Sequence, residues 1–459
     1  MRRSFELILG VALLFSGATP AMAIPEIQHW IAPSGARVYF VPTDALPIVD
    51  VQVVFDAASS RDGELHGISA LTSGLLVEGA GDMDATELAE QAESIGAKLS
   101  TESLRDMATV SLRSLSEPAK LDQALAVMEL VLSQPTFSQD ALNRDRNAML
   151  VALKARQQNA GSVAKDAFFR ALYGEHPYAI GPEGTEEALK RITRKDVERF
   201  YRRYYVSKNA TVALVGDIDR AQAEAIAQRL TGGLPKGGRP DPLPAPALPD
   251  EDELIRIEFP STQTHVLAGH PAVKRGDPDY FALYVGNHVL GGGGFTSRLM
   301  EEVREKRGLS YSVYSAVTPM AQEGPFQLGL QTANDQAEEA LSVLMDNLRR
   351  FREQGPTDEE LEKAILNITG SFPLTIDSNA NILSYLSVIG FYDLPLDYLS
   401  TFNDHVRAVT VAAVKDAFKR RVHPDRLVTI ELGNFSDGKP DAESPLADHV
   451  RQDSPAGIR

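Results

Sequence analysis

The chain contains no cysteine, so thiolate metal sites, cysteine nucleophiles and disulfide frameworks are excluded, and any metal must be held by His, Asp or Glu. A catalytic zinc site needs such ligands to converge on one ion, with a carboxylate placed to deprotonate the bound water. No H-x-x-E-H motif in either orientation is present. His66 and Glu78 flank a predicted helix from opposite ends, so they do not converge and read as isolated, exposed polar groups. His265 and His270 are five residues apart, a separation that suits neither a helical face nor a strand face. Arg304 and Tyr311 lie seven apart in REKRGLSY. By spacing alone they read as a surface charge in a basic cluster and the first residue of a half-buried strand. The run Gly291, Gly292, Gly293 and Gly294 lacks the Lys-Ser/Thr that completes a phosphate loop. It supplies backbone freedom, for a tight passage between two helices or for a flexible segment.

Helices and strands must position whatever chemistry remains. Across 459 residues, 46 Lys+Arg stand against 63 Asp+Glu, a formal net charge of -17. Nucleic acid is an unsuitable partner for such a chain, because phosphate contact needs clustered cations. With 43% hydrophobic and 24% charged residues the chain can bury a large core, and its length calls for more than one domain. Arg2 and Arg3, an apolar run over residues 7–15 and the triplet Ala21-Met22-Ala23 read as a signal peptide cut after residue 23. That run is too short to span a bilayer. Export to the periplasm, with no membrane attachment after cleavage, is the expectation.

Residues 232–252, with six prolines, read as an extended linker between an N-terminal domain at 24–231 and a C-terminal domain at 253–435. Residues 436–459, rich in Asp, Pro and Ser, carry no apolar period and read as a disordered tail. The halves repeat. Residues 192–216 align with 409–433 without a gap, at an offset of 217 that pairs Thr193 with Thr410, Arg203 with Arg420 and Gly216 with Gly433. Each segment is a Thr-capped helix followed by an alternating strand. Upstream, strands at 51–55 and 108–112 and helices at 67–77 and 121–132 predict an α+β fold, each domain an antiparallel sheet covered by helices.

Residues 51–80, 143–150 and 174–205, with SRLMEEVREKRGLSYSVYS at 297–315, resemble the pitrilysin/insulinase-type zinc peptidase family, which includes mitochondrial processing peptidases and bacterial two-subunit members. The likeness extends from about Ile31 to about Gly433. It implies two homologous domains of the LuxS/metallohydrolase type facing each other across a cavity. It also places Ala70, Ser73 and Gly74 where the family carries His, Glu and His, and Ala152 where it carries the third ligand, so this chain holds no metal. By the same resemblance Arg304 and Tyr311 lie opposite the zinc, where the arginine engages substrate carbonyls and the tyrosine stabilises the oxyanion. The glycine run resembles the substrate-side loop of the non-catalytic processing-peptidase subunit, and residues 97–115 correspond to substrate-side strands, though their alternation equally suits ordinary sheet packing.

The expected function is that of the non-catalytic, substrate-binding subunit of a periplasmic heterodimeric zinc peptidase. The zinc would be carried by a homologous H-x-x-E-H partner, and peptides would be the substrates. The alternatives are a peptidase-fold binding or assembly protein without a proteolytic role, and an enzyme using unfamiliar residues.

Overall fold

A computed structural model describes residues 26–435. The expected signal peptide and the tail after residue 435 lie outside the described residues. The first half runs β1 (Gln28–Ile31), β2 (Arg37–Pro42), β3 (Ile48–Phe55), α1 (Ile68–Leu75), a small ribbon of β4 (Gly79–Ala80) and β5 (Met83–Asp84), α2 (Ala85–Glu93), β6 (Lys98–Ser103) and β7 (Ala108–Leu115). It continues through α3 (Pro118–Ser133), α4 (Gln139–Arg156), α5 (Ala160–Tyr173), α6 (Glu186–Arg191), α7 (Arg194–Tyr204), β8 (Ala210–Gly216) and α8 (Arg220–Gly232). After an irregular stretch come β9 (Glu253–Glu258), β10 (Gln263–Val273), α9 (Tyr280–Asn287), β11 (Ser312–Val317), β12 (Gly324–Ala333) and α10 (Ala337–Gln354). The second half ends with α11 (Asp358–Ser371), α12 (Asn379–Phe391), α13 (Tyr398–Arg407), α14 (Val411–Arg421) and β13 (Val428–Gly433).

The two large sheets have the same topology. The order β2-β8-β3-β7-β6 in the first reappears as β9-β13-β10-β12-β11 in the second, and β1 is an extra edge strand. In each sheet the strand after the Thr-capped helix pairs in parallel with the first of these strands and antiparallel with the next, as β8 does with β2 and β3 and β13 with β9 and β10. The sheets are therefore mixed, each with one parallel pair, rather than purely antiparallel. A return strand that reaches the sheet through a long helical crossover can enter in parallel, which a hairpin cannot.

β8 shows why its sequence, ATVALVG, is apolar throughout. Val212 and Leu214 enter the core of the first half, whereas Ala213 and Val215 face a core that belongs mainly to the second. A strand buried on both faces needs no polar alternation. The helix on that second face is α12, whose Leu386 and Ile389 are fully buried. Each such side chain removed from water contributes roughly 1.5–3 kcal/mol. The exchange is reciprocal, because α5 of the first half packs on β10 and β13, setting Phe168 and Leu172 among Ile430 and Leu432. Each half thus lends one helix to its neighbour's sheet. Separating the halves would strip both sheets of a covering layer.

Candidate functional site

α1 begins at Gly67, whose φ of 97° a side chain would disfavour. Its N-terminal amides are satisfied from a distance: the buried Asp62 carboxylate accepts from Gly67 N at 2.6 Å and Ser69 N at 3.0 Å. Burial pushes this carboxyl up to about 7, against the opposing pull of the two amides. Along the helix Ala70 and Gly74 are half-buried, while Ser73 is buried. The Ser73 and Tyr205 hydroxyls face each other in the interior without completing a hydrogen bond of good geometry. Ala152 is exposed on α4, and Asp145 of that helix places Oδ2 3.8 Å from where a Cβ on Gly74 would stand. Burial first, then the nearby Glu78, raise the Asp145 carboxyl above its ordinary range. A methyl, a buried hydroxymethyl and a hydrogen around one carboxylate do not fit a zinc ion. Among the described residues no group of three or more His, Asp or Glu converges.

The residues flanking α1 differ from expectation. Glu78 is half-buried and ion-paired with Arg144, and His66 is half-buried, its imidazole pushed down by burial and by Arg170. Neither is an isolated surface group, because α4 and the loops around α1 fold over both ends of the helix. His265 and His270 both lie on β10 but on opposite faces, as an odd spacing along a strand requires. His270 is fully buried, accepts from His423 N at 3.0 Å and is pushed down to about 4. It is a structural group. His265 looks instead into a cavity between the halves.

Arg304 belongs to a π-helical segment, Met300–Glu305, in which Lys306 N reaches back five residues to Glu301 O at 2.9 Å. Such widened turns recur at functional sites because they re-aim side chains. The Arg304 guanidinium lies 5.1 Å from the Phe295 ring centroid and makes no ion pair with a described residue. Tyr311 does not begin the half-buried strand. β11 starts at Ser312, and Tyr311 stands just outside it, 81% exposed, between the buried Ser310 and the surface position of Ser312. The Ser310 hydroxyl lies within hydrogen-bonding distance of the Ser312 and Gln331 carbonyls, which anchors the turn and leaves the phenol facing solvent.

The glycine run begins in the last two residues of a second π-helical segment, His288–Gly292. A Cβ on Gly291 would stand 2.4 Å from Ser315 N, and one on Gly293 2.6 Å from His288 O, so the chain passes too close to β11 and to its own helix for any side chain. Gly294 differs, with open space around it and φ of 62°. The passage reading accounts for Gly291 and Gly293, and left-handed backbone for Gly294.

Between the halves lies a cavity of about 630 Å³, walled by the turn between β6 and β7, by α5, and by β10, β11 and β12. At its edge Asp106 ties the halves together. Its carboxylate accepts from Tyr178 Oη at 2.7 Å, from Tyr392 Oη at 3.0 Å and from Ala321 N at 2.8 Å, the last two in the second half. Burial nevertheless raises this carboxyl above its usual range. Sequence reasoning missed Asp106, Tyr178 and Tyr392 as a unit, since an Asp in a short strand connection reads as an ordinary turn residue. Residues 97–115 form β6 and β7. β6 is the end strand of its sheet with an exposed alternating face, so among the described strands its outer edge is unpaired. β11 holds the same position in the second sheet.

A family model described as insulinase (Peptidase family M16) matches residues 39–186, a span that contains α1, and one described as Peptidase M16 inactive domain matches residues 191–368. The non-peptidase homolog YmxG of Helicobacter pylori is 25% identical over 433 residues, covering 93% of this chain and 97% of its own. An uncharacterized zinc protease of Streptomyces coelicolor is 26% identical over 374 residues, covering 79% of this chain and 80% of its own. Among solved structures, a peptidase M16 inactive domain from Pseudomonas fluorescens is 40% identical with a TM-score of 0.87, over 90% of this chain and 100% of that one. A protease from Helicobacter pylori has the same fold, with a TM-score of 0.83 at 19% identity over 89% of this chain and 100% of that one.

Proposed function

This chain belongs to the insulinase-type M16 peptidase family as one of its inactive homologues, and on that premise we propose that it is the non-catalytic, substrate-binding subunit of a periplasmic heterodimeric zinc peptidase. The observation that carries the proposal is the contrast between α1 and the Arg304 region. Among the described residues α1 offers no ligand set, while on the other half stand a cation without an ion-pair partner and a phenol 81% exposed. Fixed donors of this kind serve catalysis when negative charge develops beside them. A homologous partner bearing H-x-x-E-H would supply the zinc and the general base. Arg304 would hold substrate carbonyls and the Tyr311 hydroxyl would donate to the oxyanion. Among the described residues no helix is long and apolar enough to cross a membrane.

The test is co-expression with such a homologue, followed by peptide digestion with and without a chelator. Tyr311→Phe should lower kcat of the reconstituted pair roughly 100-fold, the usual cost of one oxyanion donor, while the two chains still co-purify. Unchanged cleavage with intact assembly removes the catalytic role of Tyr311 and favours a binding or assembly protein.

A further inference from the structure

The cavity between the halves has a charge opposite to that of the chain. Acidic residues outnumber basic ones 63 to 46 overall, yet the cavity wall carries Arg105, Lys165 and Arg275 against one carboxylate, Asp106. Asp106 is already committed, accepting from two tyrosine hydroxyls and a backbone amide. The acidic groups nearest Arg105 behind the wall, Glu183 and Asp166, are both bound by Arg156, at 3.1 and 2.9 Å. None of the three cations forms an ion pair with a described residue.

Aromatic faces hold the guanidiniums in place instead. Arg105 lies 3.8 Å from the Phe169 ring centroid and Arg275 5.5 Å from that of Tyr392. The Nε of Arg275 is buried with no hydrogen-bond partner among the described residues. Burial lowers the Arg105 guanidinium from its ordinary value, the mark of a cation whose lost hydration is incompletely replaced. A guanidinium kept desolvated and unpaired costs free energy that an entering anion recovers. Gly161, in the first turn of α5, opens onto the same space, so the positive end of that helix dipole adds to the field. Phe169, Leu267 and Met320 supply an apolar floor, and Ser312 and Tyr314 of the end strand β11 form one side.

We propose that this cavity binds the carboxylate of an acidic side chain on a peptide and so makes the subunit selective for acidic peptides. The proposal rests on the substrate-binding reading above and adds the substrate class. An extended peptide beside β11 would add a strand to the sheet while its carboxylate meets the fork of Arg275 or Arg105.

Isothermal titration of the purified chain with a set of unlabelled peptides of one length tests it. The set carries Glu, Gln or Lys at the same positions, each with a free or an amidated C-terminus. The Glu peptide should bind roughly tenfold or more tightly than its Gln counterpart, with the Lys peptide weakest, and added salt should shrink the difference. Weaker binding on amidation with no effect of Glu→Gln makes the terminal carboxylate the recognised group and overturns the selectivity for acidic peptides. Lys165→Gln, at an exposed helix position, and Arg275→Gln should each reduce the Glu preference severalfold, with circular dichroism confirming the fold. Equal binding of Glu and Lys peptides overturns the charge selectivity and leaves the substrate-binding reading standing. A Glu preference that survives both variants overturns the location. Failure of every peptide to bind overturns the substrate-binding reading and this proposal together.

Discussion

Each half places an aspartate just ahead of the helix that follows its β3-type strand, and the two environments are opposite. Asp279, at the head of α9, is gripped by Arg420 at 2.6 and 2.8 Å and by Arg421 at 2.7 Å, which hold its carboxyl below the usual range. Asp62, its counterpart at the offset that aligns Thr193 with Thr410, is buried, forms no ion pair with a described residue and is pushed up to about 7 by that burial. Arg203, the repeat partner of Arg420, lies over the Tyr204 ring at 5.2 Å instead. The repeated backbone plan therefore does not dictate charge pairing. Strand order, crossovers and caps recur because hydrogen bonds and apolar periodicity enforce them in both halves. Side chains that meet only in three dimensions are free to differ. The same freedom leaves α1 with Ala70, Ser73 and Gly74, while the second half presents Arg304 and Tyr311.

The largest predicted effect concerns the reciprocal helices. α5 crosses β10 at Gly269, where a Cβ would stand 2.2 Å from Phe326 O and 2.9 Å from Phe168 Cζ. α12 crosses the first sheet at Gly390, where a Cβ would stand 2.6 Å from Tyr39 Cε2 and Thr211 Cγ2. The first obstacle includes backbone of a central strand, the second only side chains. Gly269→Ala should cost roughly 3–4 kcal/mol, at the severe end of overpacking. Gly390→Ala should cost roughly 1–2 kcal/mol, part of the clash being offset by the better helix propensity of alanine. Urea denaturation of both variants measures the difference. Equal costs would mean that the two crossings yield alike and that the exchange is less asymmetric than its contacts.

Much of this plan was legible locally. The Thr-capped helices and the strands after them follow from residue type and spacing, the emptied positions on α1 follow from the family resemblance, and the predicted helix at 67–77 differs from Ile68–Leu75 only at its ends. The reciprocal exchange was not legible. The sequence of α5 announces an apolar face through Ala164, Phe168 and Leu172, but periodicity does not say which sheet that face will cover. The cavity was hidden for the same reason, since Arg105, Lys165, Arg275 and Tyr392 share no local pattern. The exposure of Tyr311 depends on where β11 begins, and strand ends are decided by tertiary pairing.

Asp62 and Asp279 also predict opposite dependences on pH. The folded-state carboxyl of Asp62 titrates near 7, above its unfolded value of 3.8, so between those values the folded chain binds the extra proton and stability falls as pH rises. Its ionisation cost, up to roughly 4 kcal/mol, is fully expressed above neutrality. Asp279 contributes in the other sense, stabilising above its unfolded value and losing that contribution as pH falls through its depressed folded value. Asp62→Asn keeps an acceptor for the Gly67 and Ser69 amides and removes the charge. It should therefore be more stable than the parent at pH 8 and approach it near pH 4, as read from urea midpoints. A parallel pH dependence for parent and variant would show that Asp62 stays ionised in the folded chain.

The smallest predicted difference lies in the repeated caps. Thr193 accepts from Asp196 N at 3.4 Å while the Asp196 carboxylate accepts from Thr193 N at 2.9 Å and from its hydroxyl at 2.6 Å, a reciprocal capping box on α7. Thr410 accepts from Ala413 N at 3.1 Å on α14, where an alanine at the third helical position can return nothing. Replacing either threonine by alanine removes one cap, about 1 kcal/mol. The substitution at 193 also takes from Asp196 the hydroxyl that orients its carboxylate, so Thr193→Ala should cost a few tenths of a kcal/mol more than Thr410→Ala. A double-mutant cycle between Thr193→Ala and Asp196→Ala isolates that surplus, because the cycle cancels whatever each side chain contributes without the other. A coupling of zero would make the two caps equivalent and confine the divergence of the halves to charges and packing.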